Sequence, residues 1–178
     1  MKQGFDEMVY EEILYERLLP FLRGKFRYVA WQVPIPHSRI DLVAISTRKN
    51  VYAIEVSTRD WIRCFKQALK DSLYADFVYV ALPRSVVEGS IRKRNLYKET
   101  GVGLISIGIS VEIVVKAQRS MIRSNRLKND VLKVLMRKRK RLYALRSRIE
   151  ESSSQECLSP SSDRRYNIPE KNRRELST

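Results

Sequence analysis

The chain has little with which to hold a soft metal or build a disulfide framework: two cysteines, Cys64 and Cys157, and one histidine, His37, in 178 residues. The cysteines stand far apart, the second in a polar tail, which fits reduced thiols rather than a stapled secreted domain. A single histidine leaves no Cys/His zinc cluster to assemble, and His37, in the turn PIPHS, reads as a solvated loop residue. No apolar run approaches the ~18 residues that cross a bilayer. The opening MKQGFDEMVYEE has no signal-peptide apolar core. The expectation is a cytoplasmic or nucleoid-associated protein, neither secreted nor membrane-spanning. No internal repeat is present.

What the chain does have is positive charge. The net charge is +15, with a pI near 10.1, which points to a polyanionic partner. Between Lys116 and Glu150 stand thirteen Lys/Arg against two acids, so +11 of the +15 lies there and residues 1–115 are nearly balanced. The run RKRKR, residues Arg137, Lys138, Arg139, Lys140 and Arg141, fits a phosphate tracker with steep salt dependence. A basic amphipathic helix on an anionic membrane is the competing reading, but the segment lacks Trp and Phe anchors.

Hydropathy periods predict the elements. Val9, Tyr10, Ile13, Leu14, Leu18 and Leu19 recur at helical spacing, giving a helix from Phe5 to about Arg23 that Gly24 ends. Strands at 27–33, 39–46 and 51–57 form an antiparallel meander. A helix over 60–74 follows, capped by Thr58 or Asp60, with Trp61, Phe65, Ala68, Leu69 and Leu73 as its stripe. FVYVAL (77–82) is apolar on both faces and reads as a central strand, parallel to its predecessor because a helix intervenes. A short helix with loops over 84–100, two strands (101–108 and 111–117) and one or two basic helices over 120–150 complete the chain before a polar, disordered tail. The order describes an α/β fold, an α/β/α sandwich on a mixed central sheet. The domain reading is 1–118 for the core, 119–151 for a basic helical extension and 152–178 for the tail. The apolar stripe Leu127 to Ile149 suits packing or a homodimer face.

Two acids break this pattern. Asp41 interrupts the run around Ile40, Leu42 and Val43, and Glu55 interrupts the run around Ala53, Ile54 and Val56. A hairpin centred near Arg48 sets position 41 opposite 55, where like charges with Cβ atoms roughly 4.5–5.5 Å apart destabilise a sheet. A divalent cation between them reverses the sign, and all-oxygen ligands suit magnesium or manganese. The alternative reading is a pair of inward charges guarding an edge against aggregation.

The ordered set Glu11…Asp41…Glu55, with RIDLVAI/VYAIEV, then DW, FKQAL, YADFVYVALP and GVGLISI, resembles the PD-(D/E)XK nuclease superfamily over roughly residues 5–117. The resemblance implies a restriction-endonuclease-like fold and a metal-dependent endonuclease that hydrolyses nucleic-acid, chiefly DNA, phosphodiesters. Asp41 and Glu55 are then metal ligands with catalytic roles, the carbonyl of Val56 adds a ligand and Glu11 completes the shell. Glu11 shares the stripe of Leu14 and Leu18; Glu12, one position along, is the alternative. Gln67 matches a glutamine that relatives carry on the following helix, with Arg63, Lys70, Asp71 and Tyr74 on its face. Arg39, ahead of Asp41, either pairs with a carboxylate or contacts phosphate, and Arg63 joins it as a nucleic-acid contact. The departure is Ser57, which stands where the superfamily's Glu-x-Lys has lysine. Lys66, Lys70 or Arg59 is the expected substitute cation. Otherwise the protein is a degenerate member that binds nucleic acid without cleaving it. A basic membrane-surface or partner-binding protein on a borrowed fold is the third reading.

Overall fold

The computed structural model describes residues 2–36 and 38–137, with side chains from residue 11 onward. His37, the cations Lys138, Arg139, Lys140 and Arg141, and the polar tail lie outside the described residues.

Helix α1 spans Lys2–Lys25. It runs through Gly24 rather than ending there, and it tolerates Pro20 in its interior. A mid-helix proline costs about 3 kcal/mol. Leu18 and Leu22, fully buried on either side of it, each return about 1.5–3 kcal/mol, so packing holds the last turns helical.

Six strands follow: β1 (Tyr28–Ile35), β2 (Ser38–Ile45), β3 (Val51–Val56), β4 (Phe77–Pro83), β5 (Gly103–Ile107) and β6 (Val111–Val115). They lie side by side in chain order. The first three form the antiparallel meander, β3–β4 and β4–β5 are parallel, and β6 returns antiparallel. The parallel step across α2 (Trp61–Asp71) is the crossover that a strand–helix–strand order demands. Asp60 caps α2, its Oδ1 accepting from the Arg63 N–H at 2.9 Å.

Between β4 and β5 come α3 (Arg84–Ser90), a 3₁₀ turn and α4 (Arg94–Thr100). Gly101 ends α4 at φ +74, a left-handed conformation that favours glycine. Gly103 allows close approach instead: a Cβ there would collide with the Tyr79 ring and sit 2.8 Å from the Ala117 nitrogen.

Helices cover both faces of the sheet, which gives the expected sandwich. On one face Leu14, Leu18 and Leu22 of α1 pack with Leu42, Ile54, Tyr79 and Ile105. On the other, Phe65 and Ala68 of α2 and Tyr97 of α4 pack with Val43, Ala53, Val80 and Leu104. Residues 125–137 are also helical (α5). Val131 and Leu135, from the stripe the sequence reading set apart as an extension, are buried in that second core.

The connector into α5 is tied to the sheet through Asp76, whose side chain is 0% exposed. Its oxygens take the Val51 N–H (2.8 Å), Lys128 Nζ (2.6 Å), Arg119 Nη1 (3.1 Å) and Arg123 Nη1. Among the described residues no helix is long and apolar enough to cross a membrane.

Candidate active site

The hairpin β2–β3 carries the site because its ladder stops there. Regular pairs run from Ile45↔Val51 to Leu42↔Ile54. One step on, side chains replace the ladder: the Asp41 N–H donates to Glu55 Oε1 (3.1 Å), and the Val56 N–H donates to Asp41 Oδ2 (3.0 Å). Position 41 therefore stands level with 55, as a turn near Arg48 requires.

Strand alternation also fails at this step. Leu42 packs on the α1 side, whereas Ile40 packs with Val33 on the α2 side. Opposite, in β1, Gln32 adopts φ +48. The end of the hairpin is thus turned out of the pleat and opens a cavity of about 580 Å³.

The floor of the cavity is anionic and largely buried. Glu55 is 5% exposed, Asp41 is half-buried, and Asp71, arriving from the last turn of α2 behind Glu55, is 0% exposed. No donor reaches either oxygen of Asp71; the group within hydrogen-bonding reach is the Glu55 carboxyl, an acceptor itself unless it carries a proton. Burial, then the charges of Asp41 and Asp71, pushes the Glu55 carboxyl up to about 10. Burial raises Asp71 to about 7. Asp41 is raised by burial in spite of the Val56 N–H, Glu55 and Arg39, which all favour its charge. Three carboxylates crowded in low dielectric, with fewer donors than their charges need, either hold protons or draw in a cation.

The rim is cationic and polar. Arg39, Arg59 and Arg63 line it with Ser38, Ser57, Thr58, Asp60 and Gln67. Gln67 Nε2 donates to Ser38 Oγ at 2.9 Å, bridging α2 to the start of β2. Glu11 reaches the cavity from α1 and accepts from the Tyr15 hydroxyl at 3.4 Å, whereas Glu12 is exposed and outside it; the choice between the two falls on Glu11. Burial and the neighbouring Asp41, Glu11 and Glu55 push the Tyr15 phenol up, so it stays a proton donor. Cys64 is buried at the cavity wall, and burial among these acids pushes its thiol up, which keeps it from acting as a thiolate nucleophile.

Val56 lines the cavity beside Ser57. Lys66 and Lys70 do not line it: both are exposed, and of the two only Lys70 acts on the floor, from behind, through Asp71. The cations on the rim are arginines instead. Tyr74 does not reach the cavity. Arg137 is exposed on α5, beside Leu132, Lys133 and Met136, on a different surface. Asp71 is the acid whose part the sequence reading left unassigned. Its signal was an acid four residues after Gln67 and seven after Cys64, on the face the helix buries.

Among the described residues no three His, Cys, Asp or Glu side chains gather closely enough to ligate one ion. Magnesium and manganese take one or two carboxylates and keep the rest of their shell as water and substrate oxygen, and Asp41 and Glu55 are the carboxylates that could hold such an ion. The orphaned oxygens of Asp71 fit the same need for positive charge.

Fold and cavity together define an open α/β protein with a carboxylate floor at the end of a hairpin. No family model matches the chain, and no curated protein matches it. Among solved structures it is similar to a protein of unknown function from Silicibacter pomeroyi, at 17% identity and a TM-score of 0.49, over 66% of this chain and 78% of that one. It is also similar to a repair endonuclease from Pyrococcus abyssi, at 18% identity and a TM-score of 0.39, over 57% of this chain and 46% of that one. Likeness at this level carries no argument about activity, which rests on the cavity.

Proposed function

We propose that the chain is a divalent-metal-dependent nuclease of the PD-(D/E)XK type that hydrolyses nucleic-acid phosphodiesters, with DNA as its substrate. The observation that carries this reading is the polarity of one cavity: the acids Asp41 and Glu55, backed by Asp71, beneath the arginines Arg39, Arg59 and Arg63. A phosphodiester is an anion that acids repel, so acids and arginines in one cavity make chemical sense when a cation bridges acids and phosphate.

Asp41 and Glu55, with the Val56 carbonyl, would hold magnesium or manganese, and Glu11, on the cavity wall, would meet it through water. The bound ion supplies a water activated for attack and charge stabilisation for the leaving oxygen. The remaining work belongs to the chain. The Val56 and Asp41 N–H groups hold each carboxylate in a fixed orientation. Gln67, tethered to Ser38, positions water or phosphate at the α2 side of the mouth. The arginines of the rim neutralise phosphate.

A second reading, nucleic-acid binding without cleavage, is favoured by Ser57: its hydroxyl brings no charge to the cavity. One assay separates the two. Supercoiled plasmid, and labelled single- and double-stranded DNA and RNA, are incubated with Mg²⁺, Mn²⁺ or EDTA. Cleavage that requires metal and vanishes in Glu55→Ala supports the nuclease. Salt-sensitive binding, with no cleavage under any metal, leaves the binder.

A further inference from the structure

We infer that Arg39 is the cation that meets the reacting phosphate, delivered from β2 across the open end of the hairpin to the space Ser57 leaves free. This rests on the nuclease reading and assigns one of its residues.

Every ion pair among the described residues lies elsewhere, on Asp76 or between Asp130 and Lys133. The guanidinium groups of Arg39, Arg59 and Arg63 are therefore not committed to a carboxylate there. They differ in position. Arg59 stands in the turn after β3, and Arg63 sits in the first turn of α2, where its N–H meets the Asp60 cap. Arg39 lies in β2 itself, two residues from Asp41, exposed and lining the cavity. Of the three, only Arg39 has a charge that acts on an acid of the floor, lowering Asp41 against the effect of burial.

The β2–β3 ladder ends at Leu42↔Ile54, and beyond it stand Arg39 on β2 and Ser57 just past the end of β3. Both residues line the same cavity. The serine is short and uncharged, so a guanidinium from the neighbouring strand can enter the space that a longer side chain at 57 would fill. A cation presented from either position faces the same cavity.

In the hydrolysis, a water oxygen bonds to phosphorus as the bond to the leaving sugar oxygen breaks. One water proton ends on that oxygen to give an alcohol, and the other leaves the new phosphomonoester for solvent. Arg39 moves no proton: its guanidinium acts as a hydrogen-bond donor and never as an acceptor. It donates hydrogen bonds to the non-bridging oxygens, where negative charge builds.

The test is steady-state cleavage of labelled DNA and RNA of one sequence in Mg²⁺ and Mn²⁺. Arg39→Ala is expected to lower kcat on the order of a hundredfold, as loss of one such donor does, with KM within about threefold. Arg39→Lys keeps most of the rate. The transplant Arg39→Ser/Ser57→Lys recovers at least about tenfold over Arg39→Ser alone, because the charge returns to the same cavity. The Mn²⁺-induced rise in melting temperature stays unchanged in Arg39→Ala, which separates a lost charge from a lost fold. Full cleavage by Arg39→Ala beside an inactive Asp41→Ala overturns the assignment and leaves the nuclease standing. A loss confined to KM, or a transplant no better than Arg39→Ser, also overturns it. Wild type and Ser57→Lys both inert on both polymers with every metal overturn the nuclease reading, and the assignment with it.

Discussion

Two aspartates five residues apart, Asp71 and Asp76, are both 0% exposed and are treated in opposite ways. Asp76 has a donor on each oxygen: Val51 N–H and Lys128 on one, Arg119 and Arg123 on the other. Burial alone would raise it, yet Lys128, the Val51 N–H and Arg123 outweigh that and hold it below the ordinary carboxylate value. Asp71 has as its one hydrogen-bonding neighbour another acid, Glu55, which can satisfy it only while holding a proton. A fold gains from the first arrangement and loses from the second. Asp76 fastens the 119–128 connector to the start of β3 and β4. Asp71 adds to the demand for positive charge at the other end of the same strands, which is what a cation-dependent site requires.

The largest way to break that contrast is to remove the satisfied acid. Asp76→Ala leaves Arg123 and Lys128, 22% and 16% exposed, without their partner. It is expected to cost about 3–5 kcal/mol, read as a lower urea midpoint. A loss under 1 kcal/mol would make Asp76 an ordinary surface acid.

Next come the acids of the floor. Asp41→Ala and Glu55→Ala are expected to lower metal-dependent cleavage at least about a hundredfold, equivalent to about 2.7 kcal/mol of barrier. Each is also expected to reduce the Mn²⁺-induced rise in melting temperature, while the fold persists by circular dichroism. Equal Mn²⁺ shifts in wild type and both variants would mean that the acids hold no metal.

Asp71→Asn is the smaller and sharper test, because its sign is opposite to that of Asp76. An amide in place of an unpartnered buried carboxylate can donate to Glu55, and the metal-free protein is expected to gain about 1–3 kcal/mol. The same variant is expected to bind Mn²⁺ more weakly in isothermal titration calorimetry. A destabilised Asp71→Asn would show that the carboxylate serves packing instead.

The smallest effect is in the pH dependence of Asp76. Its folded value lies below 3.8, so its contribution is complete above that ordinary value and is lost as pH falls through the folded value. The stability difference between wild type and Asp76→Asn is therefore flat from pH 8 to about 5 and shrinks below about 4. A difference that grows on acidification would reverse the assignment.

Much of the architecture was legible because it follows from periods of apolar residues. The stripe of Leu14, Leu18 and Leu22 marks a helix whatever it packs on. The two-faced apolar run at 77–82 marks a central strand, and the helix before it requires a parallel partner. Gly24 misled: a glycine stops a helix only where packing does not carry it on, and Leu22 does. The Asp41–Glu55 pairing was legible too, since a hairpin's register follows from the position of its turn. What escaped was orientation. Lys66 and Lys70 stand on α2 as near to Gln67 in sequence as Arg63 does, but the roll of the helix sends only Arg63 to the mouth.

The sequence by itself determined the antiparallel meander, the parallel step across α2, the level of Asp41 with Glu55 and the uncharged Ser57 beside it, because these depend on residue identity, spacing and turn position. Only the tertiary structure decided which further groups converge there: Glu11 rather than Glu12, Asp71 behind Glu55, and Arg39 rather than a lysine of α2. Those choices depend on how a helix is rolled and where a strand is kinked. Both are set by burial of Leu18, Phe65 and Ala68 far from the site, and not by the polar residues that end up in it.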